Sequence, residues 1–301
     1  MPLIHPSAVI EPGAQLAPDV TVGAFCYVGP QVTLGPRCIL HHHASIEGRT
    51  TAGADNEFFP NSVIGAVSQD LKYRGGDCKI IIGDNNRFRE AATVHIGTEE
   101  GGGITALGDN NLIMINVHVA HDCRIGSNCI IANNTMLAGH VEIDDWVVFA
   151  GAVAVTHFVR VGRHAFIGGV AGVVHDVPPF MVSDGHPARA RGLNLTGLRR
   201  RGFSNEQIKP LREAYTLLFS KEIPFAQAAP EAEARFADSP EVQHLLAFMK
   251  ASNDGKHGRY LESQRGKNRW EGDGESAANV DAKSNAPAKS ALHETNHGSP
   301  T

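Results

Sequence analysis

The chain has 301 residues and a formal net charge of −5, with 20% charged residues. Such a balance does not suit a general binder of nucleic acid or of an anionic membrane surface, and no apolar run reaches the ~20 residues of a membrane-spanning helix. Glycine is abundant at 32 residues and aromatics are scarce at 6%, which favours a turn-rich β architecture over a helical bundle.

The chain opens MPLIHPSAVIEPG, with neither the basic start nor the apolar core of an export signal. From Ile4 every sixth residue is apolar: Ile4, Ile10, Leu16, Val22, Val28, Leu34, Leu40, Ile46, Ala52, Phe58 and Ile64. The phase returns at Ile82, Phe88 and Val94, then runs from Leu107 through Ile113, Val119, Ile125 and Ile131 to Val173. No helix has a period of six. Six residues make one short strand and one turn, and three such units make an 18-residue triangular coil, so the spacing predicts a parallel β-helix of hexapeptide repeats.

In each hexad the first residue points inward and the fifth fills a corner with a small side chain. Cys26, Cys38, Cys123 and Cys129 take that fifth position and read as core fillers rather than ligands. Five cysteines without a CxxC pair suggest a reducing, cytoplasmic setting.

Two stretches leave the pattern. Residues 66–79, AVSQDLKYRGGDCK, and 98–106, TEEGGGITA, are polar or glycine-rich. Insertions in a solenoid emerge as loops, often on the binding face. The repeat ends near Val177, closed by Pro178 and Pro179, and GHPARARG reads as a linker. This gives a β-helix over 1–192 and a small α-helical domain over 193–251.

In the helical domain, Ser204 to Gln207 reads as a capping box ahead of Ile208, Leu211, Tyr215, Leu218 and Phe219. Pro224 interrupts. A second helix is predicted over 225–237, and a third from Ser239-Pro240 to about Met249. Residues 252–301 are polar and predicted disordered.

INVHVAHDC (115–123) carries the chemistry. In an 18-residue coil, residues about 18 apart stack at strand spacing. His121, His140 and His157 therefore cluster along one edge, with Gly139 beside the first. Two chemistries fit. Stacked histidines bind a metal, as in the gamma-class carbonic anhydrases on this fold, or one is a general base and the others position substrate. Histidine is also tolerated on a solvent-facing strand edge. Asp122 next to His121 favours the base, because a carboxylate fixes the tautomer and stabilises the imidazolium. It does not exclude a metal, since carboxylates also orient metal-bound histidines.

QDLKY (69–73), TVHIGT (93–98), GGGIT (101–105), INVHVAHDC, ANNTMLAGHV (132–141), DVPPF (176–180) and LRRRGFS (198–204) together resemble the UDP-N-acetylglucosamine O-acyltransferase family of lipid A synthesis, over about residues 3–250. The resemblance implies a left-handed coil, a cytoplasmic homotrimer with active sites between subunits, and transfer of an (R)-3-hydroxyacyl chain from acyl carrier protein to the sugar 3-hydroxyl. It implies no cofactor or metal beyond that thioester co-substrate.

It also implies that His121 is the base, Asp122 its partner and the Gly139 amide the oxyanion donor. Asp70, Lys72, His95, His118, His140, Asn194 and Arg201 match substrate-binding positions, His157 and Arg200 beside them are further candidate substrate contacts, and Gly169 matches the end of the acyl groove, where glycine leaves room for a longer chain. Arg199, Arg200, Arg201, Lys209 and Arg212 form a basic patch suited to acidic acyl carrier protein.

The chain departs from the family at Thr156-His157, where many members read His-Gln, and at Thr196, where they carry Glu. An alternative acceptor is therefore a 3-amino UDP-sugar, acylated on nitrogen. The related N-acyltransferase carries an extra N-terminal domain, for which a repeat beginning at residue 4 leaves no room. A metal-dependent enzyme of carbonic anhydrase type is a further alternative.

Overall fold

The computed structural model describes residues 1–220 and 223–254. Short strands are laid into three sheets of 11, 9 and 8 strands, and hydrogen-bonded neighbours are mostly three strands apart in the chain. Each circuit thus places one strand on each sheet. Leu3–Ile4 pairs in parallel with Thr21–Val22, Val9–Ile10 with Tyr27–Val28, and Gln15–Leu16 with Thr33–Leu34, so the chain returns above itself every 18 residues.

The corners explain the period. The fourth residue of most hexads has a left-handed backbone, for example Asn61 at φ 61°, Asp122 at 60° and His140 at 62°. Asn, Asp and His tolerate that conformation better than other side chains. Phe25 and Val170 hold it too, although their own preference is against it. The ladder maintains the geometry: the Val170 amide donates to the Gly151 carbonyl one coil below at 2.9 Å.

First-position side chains fill the interior. Phe58 and Phe88 are fully buried and stack face to face, with centroids 5.2 Å apart. At the fifth position the four cysteines are buried as expected. Each thiol donates to a carbonyl of a neighbouring corner, as Cys123 does to Ala138 O at 3.1 Å. Burial pushes the Cys123 and Cys129 thiols up to about 12, which keeps them protonated.

The expectation of small fillers misses one feature. Asn56, Asn86 and Asn111 occupy the fifth position on successive coils and are buried. Their side-chain oxygens accept the amides of Asn86, Asn111 and Cys129 at 2.9, 2.9 and 2.8 Å, so a polar ladder satisfies what would be orphaned turn donors.

The insertions show as jumps in register. Phe58 pairs with Phe88 and Ile82 with Leu107. The first loop runs between the strands Val63–Ala66 and Lys79–Ile82. The second is shorter than expected: residues 104–106 are not loop but part of the strand Ile104–Leu107, paired on both sides. Thr105 points into the core there, and a buried threonine in a glycine-rich stretch does not stand out in the sequence.

The stretch read as a linker is a hairpin. Met181–Gly185 continues the 11-stranded sheet and pairs antiparallel with Ala188–Leu193. The alternation of Ala188 and Ala190 with Arg189 and Arg191 is a strand signal that the Gly and Pro of the turn obscure.

Among the described residues four helices follow: α1 (Leu195–Arg200), α2 (Asn205–Leu218), α3 (Phe225–Arg235) and α4 (Pro240–Asn253). The short α1 was not expected, and it starts at an Asn194 cap. The capping box is present at Ser204 and Gln207. Ile208, Leu211, Ala214 and Leu218 of α2 pack with Leu198, Ala228, Ala232, Val242 and Leu245 in a second apolar cluster. Because α4 runs to Asn253, the predicted tail begins later than residue 252, and 255–301 lies outside the described residues.

Candidate active site

His121 and Asp122 are the third and fourth residues of a corner between the 9-stranded and 8-stranded sheets. The coil stacks Gly139 over His121 and His140 over Asp122, and the His140 amide donates to the His121 carbonyl at 3.0 Å. His157, on the next coil, is the third-position residue above Gly139 and is exposed. The spacings of 19 and 17 residues arise from this alternation between third and fourth positions.

His121 Nδ1 lies 2.8 Å from Asp122 Oδ2. The carboxylate is buried and accepts three further hydrogen bonds from Thr98: amide to both oxygens at 3.0 and 3.1 Å, and hydroxyl at 2.7 Å. Burial alone would raise the Asp122 carboxyl, but the bonds from His121 and Thr98 outweigh it and hold it below the usual carboxylate range. An ionised Asp122 can only accept, so Nδ1 carries a proton, and in the neutral imidazole the lone pair is on Nε2.

Nε2 lies on the side of the ring away from the Asp122 bond. Asp70 Oδ2 is 3.8 Å from it. A Cβ built on Gly139 would come within 2.6 Å of it, so only glycine lets this corner lie over the imidazole. Among the described residues the Gly139 N–H has no acceptor. The His140 ring stands edge-on to His121, with centroids 5.1 Å apart, and stacks on Phe158.

His118 Nδ1 is 2.8 Å from Thr93 Oγ1, and the His95 ring lies 4.9 Å from His118. Burial pushes His95 down to about 4 and also lowers His118, so both act as neutral hydrogen-bonding groups near neutral pH. The first loop reaches the His121 corner through Asp70. Lys72 Nζ lies 3.8 Å from Glu100 of the second loop, and Glu99 Oε1 accepts the amides of Gly76 and Arg74 at 2.5 and 3.2 Å. The two insertions are therefore tied to each other beside the histidines.

His121, Asp122 and His140 each offer a ligand atom within 4.8 Å of the others. A metal there would have to take a carboxylate oxygen that already serves Thr98 and His121. The donor set fits a positioned base better than an open metal site.

Asn194, Arg200 and Arg201 lie elsewhere on the chain. With Thr196 and Gly197 they line a cavity of about 550 Å³ against the outward residues Ile130, Val148, Phe166 and Val182 of the 11-stranded sheet. Asn194 caps α1 by accepting the Gly197 amide at 3.0 Å, and it donates to the His164 carbonyl at 3.0 Å. Arg201 lies over Trp146 at 5.3 Å and reaches His164 Nδ1 at 3.5 Å. Burial and Arg201 together push His164 down to about 4. His164 was not among the expected residues, and nothing in its sequence neighbourhood marks it.

Gly169 sits at the corner between the 11-stranded and 9-stranded sheets, where an added Cβ would meet only ordinary contacts. A wider cleft of about 660 Å³, walled by Arg124, Glu142, Asp145, Arg163 and His244, contains none of the expected site residues.

Comparison with known proteins accounts for both parts of the chain. Residues 105–139 match the bacterial transferase hexapeptide (six repeats), and 176–257 match domain 2 of UDP-N-acetylglucosamine O-acyltransferase. The UDP-N-acetylglucosamine acyltransferase of Bacteroides fragilis superposes with a TM-score of 0.81 at 37% identity, covering 85% of this chain and 99% of that one. The O-acyltransferase of Moraxella catarrhalis gives 0.80 at 38%, covering 85% and 98%. The enzyme of Francisella novicida gives 0.80 at 36%, covering 85% and 93%. The coil is thus the left-handed parallel β-helix of these proteins, the protein is an acyltransferase, and the chain belongs to the UDP-N-acetylglucosamine acyltransferase family.

Proposed function

We propose that the protein transfers an (R)-3-hydroxyacyl chain from acyl carrier protein to the 3-hydroxyl of UDP-N-acetylglucosamine, the first step of lipid A synthesis, with His121 as general base. The observation that carries this reading is the oriented imidazole. Nδ1 is held by Asp122 at 2.8 Å, while Nε2, on the opposite side of the ring, lies under the Gly139 corner with Asp70 Oδ2 3.8 Å away.

Nε2 takes the hydroxyl proton as the sugar oxygen attacks the thioester carbonyl. The Gly139 N–H meets the charge that develops on the carbonyl oxygen. Collapse of the tetrahedral intermediate expels the carrier thiolate, which takes the proton back from the imidazolium. A thioester is already activated, so the sequence closes without a covalent enzyme intermediate, a metal or another cofactor.

Asp70, His95, His118, His140 and His157 line the acceptor side, and Gly169 leaves the acyl groove long. Lys72, paired with Glu100 at 3.8 Å, is the cation suited to close on the diphosphate. The basic patch from Arg199 to Arg212 suits the acidic carrier protein. Thr156 donates to the Val173 carbonyl at 3.2 Å. The departures at Thr156, His157 and Thr196 make a 3-amino sugar the second substrate to assay. No helix among the described residues is long and apolar enough to cross a membrane.

The placement of Asn194, Arg200 and Arg201 at α1 against the 11-stranded sheet, away from the corner that holds His121, supports a homotrimer in which a neighbouring subunit completes each site. Mixing tests this. His121→Ala and Arg201→Ala chains, each nearly inactive alone, should regain roughly a quarter of the wild-type rate when randomly co-assembled in equal amounts. No recovery in trimers shown by mass to be mixed would contradict a shared site.

A further inference from the structure

We propose that Thr98 is a positioning residue for catalysis, which holds the Asp122 carboxylate by its hydroxyl and its amide so that His121 presents Nε2 to the acceptor. This deepens the reading above and rests on His121 being the base.

The geometry is specific. The Thr98 hydroxyl donates to Asp122 Oδ2 at 2.7 Å, the same oxygen that lies 2.8 Å from His121 Nδ1. The Thr98 amide reaches both carboxylate oxygens. From the other side Thr105 Oγ1 accepts the Asp122 amide at 2.8 Å. The carboxylate plane is therefore fixed before any substrate arrives, and Asp122 cannot swing toward Nε2 or His140, whose Nε2 is 3.9 Å away.

The surrounding backbone is shaped to this contact. A Cβ on Gly101 would lie 2.1 Å from the Asp122 carboxylate, and one on Gly97 would lie 2.8 Å from it. Both glycines flank Thr98 in a stretch where a side chain would push the carboxylate away. Thr98 is itself buried, so its hydroxyl is a committed donor rather than one shared with solvent.

Thr98 also has a structural duty. Its hydroxyl accepts the Gly101 amide at 3.2 Å and caps the short helical turn Glu99–Gly101. Through Glu99 and Glu100 that turn holds the first loop. The two duties predict different kinetics. Losing the cap loosens a substrate loop and raises KM. Losing the donor misplaces the base and lowers kcat.

The test is a double-mutant cycle of Thr98→Val with Asp122→Ala, alongside Thr98→Ser and His121→Ala, all measured as acyl transfer by the intact assembly. Thr98→Val should lower kcat about tenfold, the scale of one charge-assisted hydrogen bond. Thr98→Ser should restore it. In the Asp122→Ala background the same change should alter kcat by less than about twofold, because the two residues act as one unit. An equal loss in both backgrounds, or a change confined to KM, would overturn the positioning role. If His121→Ala keeps the wild-type rate, the base assignment itself fails, and that outcome is read separately from the cycle.

Discussion

His121→Ala lowers kcat/KM about a thousandfold, in the middle of the range for loss of a positioned general base. The size follows from what remains. The Gly139 amide, the histidine wall and the loop carrying Asp70 and Lys72 are untouched, so substrate binding and oxyanion stabilisation persist while the proton acceptor is gone. Asp122 cannot substitute. Its oxygens are turned toward Thr98 and held there by bonds of 2.7 to 3.1 Å, and as an ionised carboxylate below its usual range it is a weak base.

The fold should hardly notice the change. The substitution removes one hydrogen bond from a buried carboxylate that retains three others, a cost of about 1–2 kcal/mol. Steady-state kinetics with circular dichroism on the same preparations check both halves. A loss of activity below tenfold, with the structure intact, contradicts the assignment.

Phe58→Ala has the largest expected effect on stability. Phe58 and Phe88 are fully buried and stack at 5.2 Å between consecutive coils. Truncation removes a ring from a close-packed column and leaves the face of Phe88 without a partner, at a cost of about 3–5 kcal/mol. A solenoid has few contacts beyond neighbouring coils, so the surroundings cannot readily collapse onto the void. The damage also falls on the coil from which the first loop departs, between Val63–Ala66 and Lys79–Ile82. Thermal inactivation should therefore move with unfolding, whereas kcat of the surviving folded fraction should stay near wild type. Phe58→Leu, which keeps most of the volume, should cost less than half as much. Denaturant titrations of the three proteins give the comparison, and equal midpoints would contradict the column as a source of stability.

The coil could be read from the sequence because one apolar residue at every sixth position satisfies a single geometry. The same regularity assigned the cysteines to corners and the histidines to one edge. What escaped was set by contacts between distant residues. Asn56, Asn86 and Asn111 look like turn residues, yet the corner buries them as a ladder. The hairpin of Met181–Gly185 and Ala188–Leu193 was obscured by its Gly-His-Pro turn. The second loop stopped at Gly103 because Thr105 faces inward.

At the site, proximity in sequence made the His121–Asp122 pair legible, and the motif resemblance supplied the loop residues. Thr98 reaches Asp122 only because an insertion shifts the coil register, so that Ile82 pairs with Leu107 rather than with the residue 18 positions on. His164 is joined to Asn194 and Arg201 only through the packing of α1 on the coil.

The central claim is that an imidazole, not a metal, drives acyl transfer to a UDP-sugar. The most direct measurement is the initial rate at which chelator-stripped, metal-verified wild-type protein transfers an (R)-3-hydroxyacyl group from acyl carrier protein to UDP-N-acetylglucosamine, with the 3-amino sugar in parallel. The account predicts transfer at the rate of the untreated protein to at least one of the two sugars. Transfer to neither, or a rate that disappears on stripping and returns only with added zinc or iron, would contradict it.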